Sequence, residues 1–380
     1  MRLISARDRK IVAGTIILLA GLGGVWFIET NEFTSWDLRH NLWAPCYLLV
    51  HGMNPYGGGA PSQVVGAVWF PMSIGAFLPI GWHSERQVAN VWLLGNTAIL
   101  VMLTWQIASA ERPSPIRFGL CLIMVFLFPP VLSHLVLGQF AILAAVMLLL
   151  ATWLINGGRV LPSGLLIALS LTKPQLAVLA IPGFLIAAIR VGGIGVFLKL
   201  VGAITLSVIL LTIPLFMVYP PWIFDFLDIV AQTPQWLQPS PFVLLQLEGG
   251  ISGLVLWFTL ATGMFVVNAL IWIKLPATRA ILWSLALTPL ASPYVWSWDL
   301  VLLLPLFIHV FYQLKTKLAS AAFGLGYLAC WGQIVRVRLT TDNSDERFWW
   351  VPLAMLTIVC GTYVTDTLLV KRSFEVRAGE

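Results

Sequence analysis

The chain has 380 residues, 59% of them hydrophobic and only 10% charged, with a mean hydropathy of +0.90. That composition excludes a soluble domain. The basic residues behind the net charge of +6 are scattered through short loops, a distribution that suits control of membrane topology and gives no sign of a nucleic-acid partner.

Apolar runs of about 18 residues or more recur along the whole length, so the sequence predicts an all-α polytopic membrane protein, one domain over 1–380. Arg2, Arg7, Arg9 and Lys10 precede the first run, 11–28. Glu29-Thr30-Asn31-Glu32 follows it where a signal peptide would carry a small-residue cleavage site, so an uncleaved first span is expected. Further spans are predicted at 88–108, 118–136, 139–156, 160–172, 174–190, 195–217, 252–273, 279–295, 297–314, 318–335 and 349–370, which makes twelve. With the N-terminus cytoplasmic, Arg39, Arg86, Lys173, Arg336, Arg338 and Arg347 lie outside, and the remainder of the 22 Lys and Arg lie inside.

The stretch Val68–Trp82 decides this topology. It is apolar but short, and it contains Pro71 and Pro79. Counted as a span it inverts everything downstream and moves most of the positive charge outside. The positive-inside rule therefore makes it an interfacial or re-entrant element. Residues 29–87 then form one large external loop with interfacial helices, and 218–250 form a second. Cys46, Cys121, Cys330 and Cys360 have no spacing that suggests zinc or a disulfide framework.

Within the first loop, Trp36, Trp43, Tyr47 and Val50 recur at helical spacing, which predicts an amphipathic helix lying on the membrane surface. Asp37 has two compatible readings. Thr34-Ser35-Trp36-Asp37 resembles a capping box, and a carboxylate at the bilayer surface is also a candidate general base. Asn54-Pro55-Tyr56-Gly57 is turn chemistry, and Gly138-Gln139 is a tight turn with a polar cap. Lys173 lies at a membrane boundary, where it either snorkels to head groups or anchors a phosphate as a compact point charge. Asp299, at the end of Ser292-Pro293-Tyr294-Val295-Trp296-Ser297-Trp298, either stabilises a helix start or is a carboxylate at membrane depth that requires a partner. Asp225 and Asp228 share a helical face but lack a third ligand, so no metal site is predicted. The run Asp342 to Glu346 reads as a solvated loop, and His134 and His309 as satisfied polar residues.

The ordered set of these pieces resembles a known family. It comprises an early Asp after the first span, Gly-x-Asn-Pro-Tyr at Gly52 to Tyr56, and a Pro-containing apolar element with Phe70-Pro71 and Leu78-Pro79. Gly138-Gln139, Lys173-Pro174, and Ser292-Pro293-Tyr294 leading to Asp299-Leu300-Val301-Leu302-Leu303 complete it. The set resembles the GT-C polytopic glycosyltransferases, and within them glycosyltransferase family 87, similar to polyprenol-phosphate-mannose-dependent α-mannosyltransferases. The resemblance covers roughly residues 30 to 305. It implies a GT-C-like architecture and a sugar donor on a polyprenyl phosphate in the outer leaflet of a bacterial inner membrane. It also implies a lipid- or glycan-linked acceptor and an inverting transfer that needs no cofactor.

Carried over residue by residue, it makes Asp37 the general base and gives the donor phosphate to Lys173, Gln139 and Arg39. Asn54, Tyr56, Tyr294, Trp298 and Asp299 become substrate-binding residues. One departure is that no His occurs near Trp296-Ser297-Trp298, where the family often has one. The alternative from another class is a transporter or flippase of lipid-linked glycans. Such proteins often show internal repeats and charges at the bilayer midplane, and neither is evident here.

Overall fold

The computed structural model describes residues 35–57, 68–109, 113–232, 238–340 and 344–378. The described residues are helical throughout, with no strand among them. The predicted span at 11–28 and the start of the Thr34 capping box lie outside them.

The chain enters as one amphipathic helical stretch. It comprises α1 (Trp36–Leu38), a π turn (Arg39–Trp43) and α2 (Ala44–Val50). Leu38, Leu42, Cys46 and Leu49, one helical face, are fully buried. The face is covered by α3 (Met72–Phe77) and the 3-10 turn that continues it (Leu78–Trp82). The Trp43 indole donates to the His83 carbonyl at 3.0 Å, and the Cys46 thiol approaches the Ile74 carbonyl at 3.5 Å. From Met72 to Trp82 the helical segment reaches only ~16 Å, about half the hydrocarbon thickness. The segment is therefore too short to cross, as its sequence implied. It wedges instead against a long helix: a Cβ on Gly75 would sit 1.7 Å from the Leu211 carbonyl oxygen, a distance only glycine tolerates.

Then follow α4 (Glu85–Ser109), α5 (Pro115–Leu127), α6 (Pro129–Leu137), α7 (Ala141–Asn156), α8 (Val160–Ser170) and α9 (Ala180–Val218). After these come α10 (Trp222–Gln232), α11 (Pro241–Lys274), α12 (Ala277–Ala291), α13 (Leu304–Gln313), α14 (Lys317–Thr340) and α15 (Val351–Ala378). Among the described residues, five helical segments are long and apolar enough to cross a membrane, or six if α5 and α6 count as one broken span. The expected twelve spans are thus not reproduced, for physical reasons that differ along the chain. The predicted pair at 174–190 and 195–217 meets within α9, which Gly192 and Gly193 break with non-helical dihedral angles between the two predicted segments. The predicted 118–136 span is cut at Pro129 and Pro130 into α5 and α6, which meet at a bend of 61°. Four others become α7, α8, α12 and α13, with 16, 11, 15 and 10 residues, short of the ~20 a straight crossing needs.

The interior is organised around α12, which is buried along most of its length. A polar chain fixes it to its neighbours. Asn268 on α11 donates to the Leu179 carbonyl at 2.8 Å. The Trp272 indole donates to the Ser284 hydroxyl at 2.7 Å, and that hydroxyl donates to the Asn268 side-chain oxygen at 2.6 Å. Interhelical bonds of this kind substitute for the hydrophobic drive that apolar surroundings do not supply. Basic residues seal exposed carbonyls at helix ends: Arg117 donates to the Leu314 carbonyl at 2.9 Å and Arg190 to the Leu275 carbonyl at 3.0 Å.

Candidate active site

Three turns separated by long stretches of sequence build the site, and each has a local reason for its shape. The first is the start of α1. Ser35 adopts the left-handed region at φ 61°, and its amide donates to the Val136 carbonyl at 2.6 Å, which ties the beginning of α1 to the end of α6. The second is that end of α6. Gly138 sits at φ 69°, its amide reaches Leu135 and the amide of Gln139 reaches the His134 carbonyl at 3.0 Å. These are the two bonds of a Schellman motif, which need glycine at this position. Space demands it as well, because a Cβ on Gly138 would lie 2.7 Å from the Leu38 Cβ. The Gly138-Gln139 pair therefore sets Gln139 directly against the Asp37 turn.

The third turn is Ser292–Trp296, which enters the 3-10 segment Ser297–Leu303. Asp299 closes it by accepting from the Trp296 amide at 3.2 Å. The same carboxylate pairs with Lys173 at 3.4 Å, and its side chain is fully buried. Both readings of Asp299 from sequence are therefore realised at once. Lys173 precedes the 3-10 turn Pro174–Ala177 and is only 5% exposed, so it does not snorkel.

The three turns and the Lys173-Pro174 segment meet in an unbroken polar string. The Asp37 carboxylate accepts from the Gln139 side-chain amide, the Gln139 oxygen accepts from the Lys173 ammonium, and Lys173 pairs with Asp299. Asn41, one turn after Asp37, donates to its second oxygen at 3.4 Å. The Trp92 indole donates to the Gln139 carbonyl at 3.3 Å, and the Trp69 ring lies 5.4 Å from the Lys173 ammonium. Burial pushes the Asp37 carboxyl up from 3.8 to about 6. The Lys173 charge pulls it down and the Asp299 charge adds to the rise. A carboxylate poised there is ionised at neutral pH yet basic enough to take a proton. Trp296 and Trp298 stack at 4.9 Å, and Tyr294 meets Trp296 edge-on. Burial raises the Tyr294 hydroxyl pKa, and both Asp299 and Asp37 contribute to the rise.

The family-model comparison bears directly on this string: the model described as glycosyltransferase family 87 matches residues 70–293. The chain belongs to glycosyltransferase family 87. It is accordingly a membrane glycosyltransferase. The matched region contains Gln139 and Lys173 and stops short of Asp37 and Asp299 on either side. No curated protein and no solved structure matches the chain.

Other residues expected at the transferase site have partners outside this string. Asn54 donates to Asp225 at 2.6 Å and accepts from the Tyr56 amide at 2.9 Å, and the Tyr219 hydroxyl donates to the same Asp225 oxygen at 2.8 Å. The Tyr56 ring packs on Phe226. The Asn-Pro-Tyr turn thus clips the first loop to α10, which joins the two segments expected to be external. Arg39 pairs with Glu85 at 2.8 Å.

Two expectations are corrected. Asp345, read as part of a solvated loop, is largely buried. It accepts from the Ser297 amide at 2.8 Å and the Ser297 hydroxyl at 2.7 Å, and it pairs with Arg338 at 3.1 Å. The turn that joins α14 to α15 thereby braces the Asp299 turn, a role invisible in sequence because the partners lie 48 residues apart. His134, read as satisfied, is fully buried, and neither ring nitrogen has a hydrogen-bond partner. Burial removes water as a partner, and periodicity alone cannot reveal that no protein group replaces it.

Proposed function

We propose that the protein transfers a sugar, mannose or a related hexose or pentose, from a polyprenyl-phosphate donor to a lipid- or glycan-linked acceptor. We place the reaction at the extracytoplasmic face of the bacterial inner membrane. Asp37 accepts the proton of the acceptor hydroxyl as that oxygen attacks the anomeric carbon. The bond from that carbon to the donor phosphate breaks, and polyprenyl phosphate departs with the electron pair. A single displacement inverts the anomeric centre. Lys173, held by Gln139 and Asp299, balances the charge that grows on the leaving phosphate.

The observation that supports this reading most is the string from a half-buried Asp37 through the buried Gln139 and Lys173 to Asp299. It couples a carboxylate with a pKa raised to about 6 to an ammonium through one bridging amide. A base and a cation held a few ångströms apart in low dielectric suit a reaction in which a proton leaves one oxygen as charge develops on another. Sidedness is supported by the basic N-terminus, where Arg2, Arg7, Arg9 and Lys10 precede the apolar run 11–28 and Asp37 follows it.

The test is transfer in vitro from a panel of polyprenyl-phosphate sugars by the purified full chain, with mass spectrometry of the products. A new glycosidic bond of inverted configuration, formed from one donor of the panel and lost in Asp37→Asn, is the expected result. Movement of labelled lipid-linked sugar across liposomes with no bond formed by any donor would favour the flippase reading and overturn this one.

A further inference from the structure

His134 lies one helical turn before Gln139, inside the Schellman end of α6, and its carbonyl is the acceptor that fixes the Gln139 amide. Its imidazole is fully buried with both nitrogens unpartnered. It feels the Lys173 charge and lies against the Trp298 backbone. The Trp298 indole N–H is a second buried group without a partner. Lys173 itself has three N–H donors. Two are taken by Gln139 and Asp299, and the remaining one has the face of Trp69.

Neutral His134 offers one N–H and one acceptor nitrogen, so together with the Trp298 indole and the third Lys173 N–H the unmet groups of these residues are mainly donors, while the carboxylates of the string already accept. Buried donors are kept unpaired only at a free-energy cost, which an incoming ligand rich in acceptor oxygens would remove. A phosphate fits this demand: it brings several acceptor oxygens and a charge opposite to that of Lys173. A neutral sugar hydroxyl satisfies fewer of these groups and brings no charge.

We propose that His134 is a direct ligand of the donor phosphate, giving a ring N–H to it beside the Lys173 ammonium. The inference rests on the polyprenyl-phosphate reading above and adds a residue to it that the spacing of sequence motifs does not mark. His134 takes no part in the proton transfer assigned to Asp37. Its contribution is to binding of the donor and of the departing phosphate.

The experiment uses the full chain in nanodiscs and two probes, farnesyl phosphate and the neutral alcohol farnesol, with dissociation constants measured for each. Wild type is expected to prefer farnesyl phosphate. His134→Leu is expected to lose about tenfold or more of that preference, as for a lost hydrogen bond to a charged group, while farnesol binding stays unchanged. His134→Gln retains an N–H donor and is expected to keep most of the preference. In transfer assays the loss is expected in KM for the donor, with KM for the acceptor unmoved. Unchanged farnesol binding also reports that the variant is folded. If His134→Leu does not fold, the shorter His134→Asn takes its place, with the same loss expected.

A phosphate preference that survives within about twofold in the folded His134→Leu or His134→Asn protein overturns the role of His134 and leaves the donor reading standing. Absence of any preference in wild type overturns both.

Discussion

Replacing Asp37 by Asn separates catalysis from folding, because the structure gives the two effects opposite signs. Burial raises the Asp37 pKa from 3.8 to about 6, so the folded protein disfavours the ionised form. At about 1.4 kcal/mol per tenfold change in proton affinity, holding this carboxylate ionised costs about 3 kcal/mol relative to the unfolded chain. The cost is absent below pH 3.8, develops as pH rises towards about 6, and is fully present above that. Asn keeps the shape and one acceptor for Gln139 but carries no charge. At pH 7.5 the variant is therefore expected to be at least as stable as wild type, with about 3 kcal/mol as the upper limit of the gain, and to lose that advantage on acidification. Removal of a general base is expected to lower kcat by about 10²- to 10⁴-fold.

The assays are thermal unfolding in detergent at several pH values and product formation from the active donor by mass spectrometry. In wild type the acid limb of kcat is expected to bend near pH 6 and to fall about tenfold per pH unit below it. A folded Asp37→Asn protein whose transfer stays within about tenfold of wild type would refute the assignment of the base. An Asn variant markedly less stable at pH 7.5 than wild type would refute the electrostatic argument.

Three further perturbations test the frame around the base. Lys173→Met leaves Asp299 buried and unpaired, so a loss of about 3–5 kcal/mol is expected in denaturant unfolding. Asp299→Asn added to it should restore much of the stability without restoring transfer. Gly138→Ala places a non-glycine residue at φ 69° and a Cβ 2.7 Å from Leu38. A stability loss of at least about 1–2 kcal/mol is expected, together with lower kcat from misplaced Gln139, and wild-type kinetics would contradict the Schellman argument. Asn54→Ala releases Asp225 and loosens α10. Because Asn54 is bound to the scaffold, KM for the donor should stay within about twofold of wild type, whereas a rise above about tenfold would return Asn54 to the substrate site.

The sequence made the chain's relation to the membrane legible, because a surplus of apolar residues with few charges has no soluble solution. It also marked Asp37, Gln139, Lys173 and Asp299 individually, since a polar residue at the edge of an apolar run is conspicuous there. The shortness of Val68–Trp82 and the helicity of Trp36–Val50 were readable for the same local reasons.

The number of crossings was not readable. Hydropathy records how apolar a segment is, and the difference between a straight span and a broken or shortened helix lies in the bend at Pro129 and Pro130 and in where α7, α8, α12 and α13 end. The pairing of the marked residues was likewise decided only by the tertiary structure. Asp37 and Gln139 are 102 residues apart, and Lys173 and Asp299 126 apart. What joins them is the meeting of four chain segments, one of which needs Gly138 for both its dihedral angles and its lack of a side chain. The support of the Asp299 turn by Asp345 and the unpartnered state of His134 belong to the same class. Each depends on what a side chain meets after burial, and burial is a property of the whole fold that no local stretch of residues carries.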